Sequence, residues 1–181
     1  MGATTFETYA DGTDPDTSFD TARDAARYED GHGGYTGTIA EKDSYVIITR
    51  TLMDHDQAER LAGDLLDRDD PRISDKWGPA GAIPVRHTTR TVTVDGLSGR
   101  FAVGRLNEAD LDSVVQAARQ RGLLGDDTVT EGRLSTARWH FGGRHPRFTN
   151  GVAHLTVALS AAALQEQTRP DGWLFFGRAS S

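Results

Sequence analysis

The order of strand-type and helix-type patterns constrains the fold of this chain more than any other feature. β-Forming runs predict strands at residues 4–10, 44–51, 153–159 and 173–176, and apolar residues at helical spacing predict three helices between them. Threonine–valine alternation over residues 88–95, resumed over 100–105, predicts an antiparallel hairpin rather than a regular βαβ succession. The sequence therefore predicts one α+β domain over residues 1–181, with a mainly antiparallel sheet and about three helices.

Each predicted helix begins after a residue whose side chain can accept a hydrogen bond from the first turn. Asp14 precedes a helix over residues 15–29, which Gly31 is expected to end in a left-handed conformation. Asp54 has Gln57 three residues later, the pattern of a capping box, and Asn107 precedes the third helix. Residues 35–40 are expected to begin a further strand, and residues 125–151 show the least regular pattern.

Composition excludes several classes of protein. The 181 residues contain no cysteine, which excludes disulfides, thiolate metal sites and a cysteine nucleophile. No apolar run approaches the roughly 18 residues that span a bilayer, and the N-terminus lacks the features of a secretory signal, so the cytosol is the expected compartment. A net charge of −7 argues against nonspecific binding to duplex nucleic acid. Four arginines against one glutamate in residues 131–150 still leave room for a local anion site.

Glycine density is highest at residues 31–37, where four of seven residues are glycine. No Gly-Lys-Ser/Thr sequence closes this loop, and it follows a helix rather than preceding one, so it is neither a P-loop nor a dinucleotide fingerprint. One interpretation is a nest of backbone N–H donors for an anion, and the other is a helix cap followed by a tight turn. His32 is a candidate general base. The candidate ligand-binding residues are Gly33, Gly34, Tyr35, Thr36, Gly37, Thr38 and Lys42.

A second loop, residues 75–81, places a lysine next to a tryptophan, followed by glycine and proline. Lys76 and Trp77 are candidates to present a cation and a stacking surface to a ligand. The alternative is that Trp77 anchors the loop to the core while Lys76 is solvated. Both lysines of the chain, Lys42 and Lys76, belong to glycine-bearing segments, which leads to the hypothesis that the two loops share one site.

Residues 138–148 combine arginines, aromatic residues and histidines. Arg144 is a candidate to bind phosphate or carboxylate, neighbouring aromatic rings can stack bases, and His140 is a second candidate general base. The alternative is a surface loop that pairs with the acidic N-terminal third of the chain. His140 and His145 are five residues apart and no His-Glu-x-x-His motif occurs, so neither a metal ion nor another cofactor is expected.

Three blocks of the sequence resemble an uncharacterised family of small proteins encoded by bacteriophages and prophages. The blocks are GHGGYTGTIAEK at residues 31–42, DKWGPAG at 75–81 and WLFFGRASS at 173–181, together 28 residues. The resemblance implies an accessory phage-type protein that acts in the cytosol of a host cell, in host takeover or counter-defence. Residues 88–170 have no counterpart in the family and are expected to be an insertion, and Arg178 replaces a tryptophan of the family's tail.

Three functions compete at this point. The first is a noncatalytic protein that binds a small anionic ligand such as a nucleotide, or a host protein, through its glycine-rich loops. The second is an enzyme acting on a nucleotide or nucleic acid, with His32 or His140 as general base. The third is a nucleic-acid contact through residues 138–148. No assembled catalytic set supports the second and the net charge disfavours the third, so the binding protein is preferred, with its oligomeric state open.

Overall fold

The computed structural model describes residues 2–31, 34–100, 103–125, 127–141 and 147–181. Within these ranges the α+β class is confirmed, with most strand pairs antiparallel. The chain divides into two compact units, one formed by Met1–His87 with Gln167–Ser181 and one by Thr88–Glu166. The second unit nearly coincides with residues 88–170; that this segment is an insertion relative to the family stays a prediction.

Eight strands and four α-helices lie in the described part of the chain. In chain order they are β1 (Ala3–Asp11), α1 (Pro15–Asp30), β2 (Tyr45–Ile47), α2 (His55–Asp67), β3 (Ala80–Val85), β4 (Thr89–Gly99), β5 (Gly104–Arg105), α3 (Glu108–Gln120), β6 (Thr128–His140), β7 (Arg147–Ala158), α4 (Ala161–Glu166) and β8 (Gly172–Ser180).

The first unit is a four-stranded sheet with one helix on each face. The strand order is β1-β8-β3-β2, in which β8 is antiparallel to β1 and β3, while β2 is parallel to β3. Side chains of β8 alternate between two cores: Trp173 and Phe175 pack with Phe19 of α1, whereas Leu174 and Phe176 pack with α2. Both faces of β8 are therefore buried, which is why residues 173–176 of this strand are all apolar.

The helix starts predicted from the sequence are confirmed. Asp14 and Asn107 each accept a hydrogen bond from the backbone N–H three residues later, and Asp54 with Gln57 forms both halves of a capping box. Gly31 ends α1 with a positive φ of 89°, as expected, but its ψ of 174° lies outside the left-handed helical region. These helix ends are thus defined by hydrogen bonds between residues close together in the sequence.

The second unit is an antiparallel sheet covered on one face by α3. Its strand order is β4-β7-β6-β5, and Val92, Leu134 and Leu155 pack with Val114 and Ala118 of the helix. The hairpin predicted between residues 88–95 and 100–105 is wrong, because β4 pairs with β7 and β5 pairs with β6 at the opposite edge. Local alternation indicates that a segment is a strand, but it does not identify the neighbouring strand.

Three other segments differ from their predicted structure. Residues 125–151, read as irregular, contain all of β6 and the start of β7. Bulges in this strand pair interrupt the alternation, and one coincides with the left-handed Asn150 (φ 50°). The strand expected at residues 35–40 is instead a 3₁₀ turn, Ile39–Glu41, in which Thr38 accepts a hydrogen bond from Ala40. The strand expected at residues 44–51 is confined to β2, Tyr45–Ile47.

Candidate functional site

The three sequence blocks that carry the family resemblance come together in the first unit. We call the first block, residues 31–42, the glycine loop. The backbone N–H of Gly37 donates to the carbonyl of Ser180 at 2.9 Å, which joins this loop to the end of β8. Gly81 at the end of the second block lies opposite Phe176 in the β3–β8 pair. Lys42 supplies the third connection, between the glycine loop and residues 75–78. These contacts make the blocks one structural unit.

Lys42 is completely buried, and its ammonium group connects the two loops. Its Nζ donates to the carbonyl oxygens of Asp75, Lys76 and Gly78 at 3.3, 3.0 and 2.9 Å, which uses all three donors. Burial lowers the pKa of the Lys42 ammonium, and the Asp75 carboxylate opposes this shift. The assignment of Lys42 as a ligand-binding residue is therefore corrected, because its donors hold the backbone of the neighbouring loop.

The glycine loop binds a carboxylate that belongs to its own chain. Glu41 Oε1 accepts hydrogen bonds from the backbone N–H of Thr36 at 3.0 Å and from its hydroxyl at 3.2 Å, and the Ser180 hydroxyl donates to Oε2 at 3.4 Å. The N–H of Gly37 is occupied by Ser180. An external anion would have to displace these partners, so the interpretation of this loop as an anion nest is not supported by its described donors.

Two aromatic side chains project into solvent from these two hydrogen-bonded loops. Tyr35 is 54% exposed and Trp77 is 59% exposed, and their rings meet edge to face with centroids 6.2 Å apart. Lys76 Nζ lies 5.4 Å from the centroid of the Trp77 ring and donates a long 3.4 Å hydrogen bond to the Gly2 carbonyl. We call Tyr35, Lys76 and Trp77 the aromatic patch. Trp77 does not anchor its loop to the core, contrary to one of the two interpretations.

The remaining sequence candidates in this region have mixed outcomes. Gly34 is exposed, and a Cβ at its position would meet no described residue other than its chain neighbours within 4 Å, whereas Gly37 is buried at φ 74° against Thr4 and Ser181. Thr38 caps the 3₁₀ turn. The candidates His32, Gly33 and Arg144 lie outside the described residues.

In the second unit, arginines gather on the sheet face opposite α3. Arg105, Arg133 and His154 occupy one cross-strand row, in which His154 Nδ1 lies 3.1 Å from the Thr93 hydroxyl. Nearer the end of β6, Arg138 and Arg147 share this face, since Trp139 and Phe148 between them pack into the core. We call Arg105, Arg133, Arg138 and Arg147 the arginine face. Glu131 pairs with Arg105 at 3.4 Å; no ion pair joins Arg133, Arg138 or Arg147 to another described residue.

His140 borders this face, but no catalytic set surrounds it among the described residues. Its Nε2 lies 2.9 Å from the Thr149 hydroxyl, and with Arg100 and Arg147 it lines a cleft of about 660 Å³. The cleft combines a histidine with two guanidinium groups, an arrangement suited to holding an anion. The role of His140 as a general base stays a prediction.

A cluster of Tyr9, His55 and His87 was not predicted from the sequence. The Tyr9 hydroxyl donates to Asp11 at 3.0 Å and lies 2.9 Å from His87 Nε2, while His55 packs edge-on against the Tyr9 ring. Burial and the hydrogen bond to Asp11 raise the pKa of Tyr9. The hydroxyl is therefore a weak acid that does not release its proton near neutral pH. The residues come from distant segments, so no spacing in the sequence could have indicated the cluster.

Two further findings concern the described residues as a whole. Among them, no group of three or more histidine, aspartate or glutamate side chains is arranged to hold a metal ion. Likewise, none of the helices that the structure describes has the length and apolar character needed to cross a membrane.

No protein-family model, curated protein or solved structure matches this chain.

Proposed function

We propose that this protein is a noncatalytic binding protein that contacts a partner protein through the aromatic patch. The observation that carries this proposal is the exposure of Tyr35 and Trp77, each more than half accessible, on loops that a buried lysine ties together. Tryptophan and tyrosine contribute disproportionately to binding energy at protein interfaces. Large apolar rings held in solvent in this way are typical of an interaction surface.

Rigidity of the supporting loops favours such a role. Lys42 holds residues 75–78 through three hydrogen bonds, and Glu41 holds Thr36 next to Tyr35. A surface whose conformation is already set loses less conformational entropy on association, so more of its contact energy appears as affinity. The buried Lys42 and the partly buried Glu41 therefore serve the patch indirectly, by fixing the backbone beneath it.

A partner protein fits the patch better than a small anionic ligand does. Small-ligand sites are concave and bury most of the ligand surface, whereas Tyr35 and Trp77 project outward. Of the two lysines, only Lys76 remains near the surface, and the N–H donors of Thr36 and Gly37 are satisfied within the chain. The resemblance to phage-encoded proteins supports a partner from the host cell, with host takeover or counter-defence as the biological setting.

The proposal predicts that Trp77→Ala weakens binding of a captured host protein by about tenfold or more, because the change removes the largest exposed ring of the patch. The partner is captured from host lysate with the parent protein, purified, and its Kd measured for both forms. Phe141→Ala is the matched control, since Phe141 is 85% exposed but lies in the other unit. Equal affinities of the parent and Trp77→Ala proteins contradict the proposal, as does a nucleotide that binds in a Trp77-dependent manner.

The arginine face favours nucleic-acid contact as a second candidate function. The second unit has nine arginines against eight acidic residues, whereas the first has eleven basic residues against nineteen acidic ones. Within the second unit, Glu108, Asp110 and Asp112 belong to α3 and the arginine face lies on the opposite side of the sheet. The net charge of the whole chain therefore conceals a local basic surface.

This candidate predicts that Arg138→Glu weakens binding to a labelled RNA or DNA strand and lowers the slope of log affinity against log salt by about one or more. Arg119→Glu on α3 makes the same charge change away from the arginine face and is expected to have a smaller effect. Fluorescence anisotropy across a salt series measures both quantities. No detectable binding at low salt, or equal losses in the two variants, removes nucleic acid as a candidate.

A further inference from the structure

The outer edge of β2 is an unpaired sheet edge in the described part of the first unit. β2 is the last strand in the order β1-β8-β3-β2. The Ser44 carbonyl accepts from Ala80 N–H and the Ile48 N–H donates to the Ala82 carbonyl, both at 2.9 Å. In a parallel pair with this register, the N–H and C=O groups of Tyr45 and Ile47 point away from β3. They can hydrogen-bond to one more strand.

A groove of about 690 Å³ runs between this edge and α1. Its helical wall consists of Asp16, Phe19, Asp20 and Arg23, which share one face of α1 because they are spaced by three or four residues. Phe19 packs against the Tyr45 ring, with centroids 5.1 Å apart. A sheet edge lined by a helix is a geometry in which an extended peptide can add as a strand while its side chains enter the groove.

The charge of the groove indicates what kind of segment it would accept. Three carboxylates, those of Asp16, Asp20 and Asp43, line the groove with one guanidinium, that of Arg23, and the Tyr45 hydroxyl donates a hydrogen bond to Asp16. Arg23 meets Asp20 only at 4.0 Å and Asp43 at 3.6 Å, so both carboxylates keep most of their hydrogen-bonding capacity. Side chains of an added strand alternate between the two sheet faces. Basic residues at every second position would therefore meet the carboxylates, whereas a second copy of this acidic edge would repel the first.

We propose that the β2 edge binds an extended basic peptide segment as an added strand, with alternate lysine or arginine side chains in the groove beside α1. This groove shares no residue with the aromatic patch, and the proposal does not depend on the function proposed for that patch. Ile47, which is 39% exposed, lies on the edge itself and adds an apolar contact.

The proposal is tested with a fluorescein-labelled peptide in which arginine and threonine alternate, compared with a peptide of the same composition whose arginines form one block. Anisotropy is expected to show tighter binding of the alternating peptide. Ile47→Pro removes an outward N–H without touching the β2–β3 ladder and is expected to weaken binding by about tenfold or more. Ile47→Thr, which keeps the N–H, is expected to change affinity by less than about threefold. Asp20→Asn is expected to reduce the salt dependence of the affinity for the alternating peptide.

Amide hydrogen exchange in the parent protein provides a readout that does not depend on any variant folding correctly. Peptide binding is expected to protect the Tyr45 and Ile47 amides, which point outward, whereas the Val46 amide is already protected by β3. Equal affinity for the alternating and block peptides, or binding without protection of these two amides, overturns the proposal. Self-association of the chain that Ile47→Pro abolishes would also overturn it, in favour of a second copy at the edge.

Discussion

Lys42→Met is expected to lower the free energy of unfolding of the first unit by about 2–4 kcal/mol. Methionine fills nearly the same volume but cannot donate, so the carbonyls of Asp75, Lys76 and Gly78 lose their shared partner. Relief of the desolvation cost of a buried charge offsets part of the loss. The measurement is the exchange of β8 amides with solvent under conditions where it reports global unfolding of this unit.

Lys76→Met is the matched control for this prediction. It makes the same chemical change at the only other lysine, which is partly exposed and donates one 3.4 Å hydrogen bond. Its effect is expected to stay within about 0.5 kcal/mol, the usual range for surface substitutions. Equal losses of stability in the two variants would contradict the structural role assigned to Lys42.

The contribution of Lys42 to the free energy of unfolding is also expected to depend on pH. Burial lowers the pKa of the Lys42 ammonium in the native state, whereas in the unfolded chain this pKa keeps its ordinary value of 10.5. In the pH window between these two pKa values, the unfolded chain still binds the Lys42 proton and the native chain has released it. The stability of the parent protein therefore rises with pH in that window relative to the methionine variant. The difference in unfolding free energy should widen as the pH approaches 10.5. A difference that narrows with pH would show that the native pKa is not lowered.

Gly81→Val is expected to destabilise the first unit by about 3 kcal/mol or more, through overpacking. A Cβ at this position would lie 2.6 Å from two ring atoms of Phe176 and 3.2 Å from the Ile48 side chain. Phe176 is completely buried beneath α2, so its ring has little room to move. The measurement is urea denaturation combined with β8 amide exchange. This contact explains why the second sequence block ends in glycine.

Gly34→Val supplies the comparison for that substitution. Gly34 belongs to the first sequence block, but among the described residues other than its chain neighbours, no atom lies within 4 Å of a Cβ at this position. Its replacement is expected to change stability by less than about 1 kcal/mol.

Pairing Gly81→Val with Phe176→Leu is expected to restore part of the lost stability, because the smaller side chain vacates the space. Additive losses in the double variant would indicate that the valine acts elsewhere.

Features that depend on neighbouring residues were predictable from the sequence. Asp14, Asp54 and Asn107 mark helix starts because their side chains accept hydrogen bonds within one turn. The apolar run at residues 173–176 indicated a buried strand because a short continuous apolar run is typical of a strand covered on both faces. Residues 128–140 were read as irregular because bulges in β6 break the alternation on which strand recognition depends.

The candidate site was only partly predictable. Lys76 and Trp77 stand out by residue type, and the structure places Trp77 and Tyr35 together at the surface. Lys42 stood out for the same reason, yet its donors are used by carbonyls more than 30 residues away along the chain. No property of residues 31–42 alone distinguishes a lysine that binds a ligand from one that holds a loop, since only the distant backbone supplies its partners.

The sequence by itself determined the α+β class, the starts of the three long helices and the residue types available for binding. The tertiary structure decided which strands are neighbours, which lysine is buried and which aromatic rings remain exposed. The physical reason is that caps and periodicity arise from contacts within a few residues, whereas strand pairing and burial depend on segments far apart in the chain. In the aromatic patch, hydrogen bonds from Lys42 and to Glu41 hold the two loops that carry Trp77 and Tyr35.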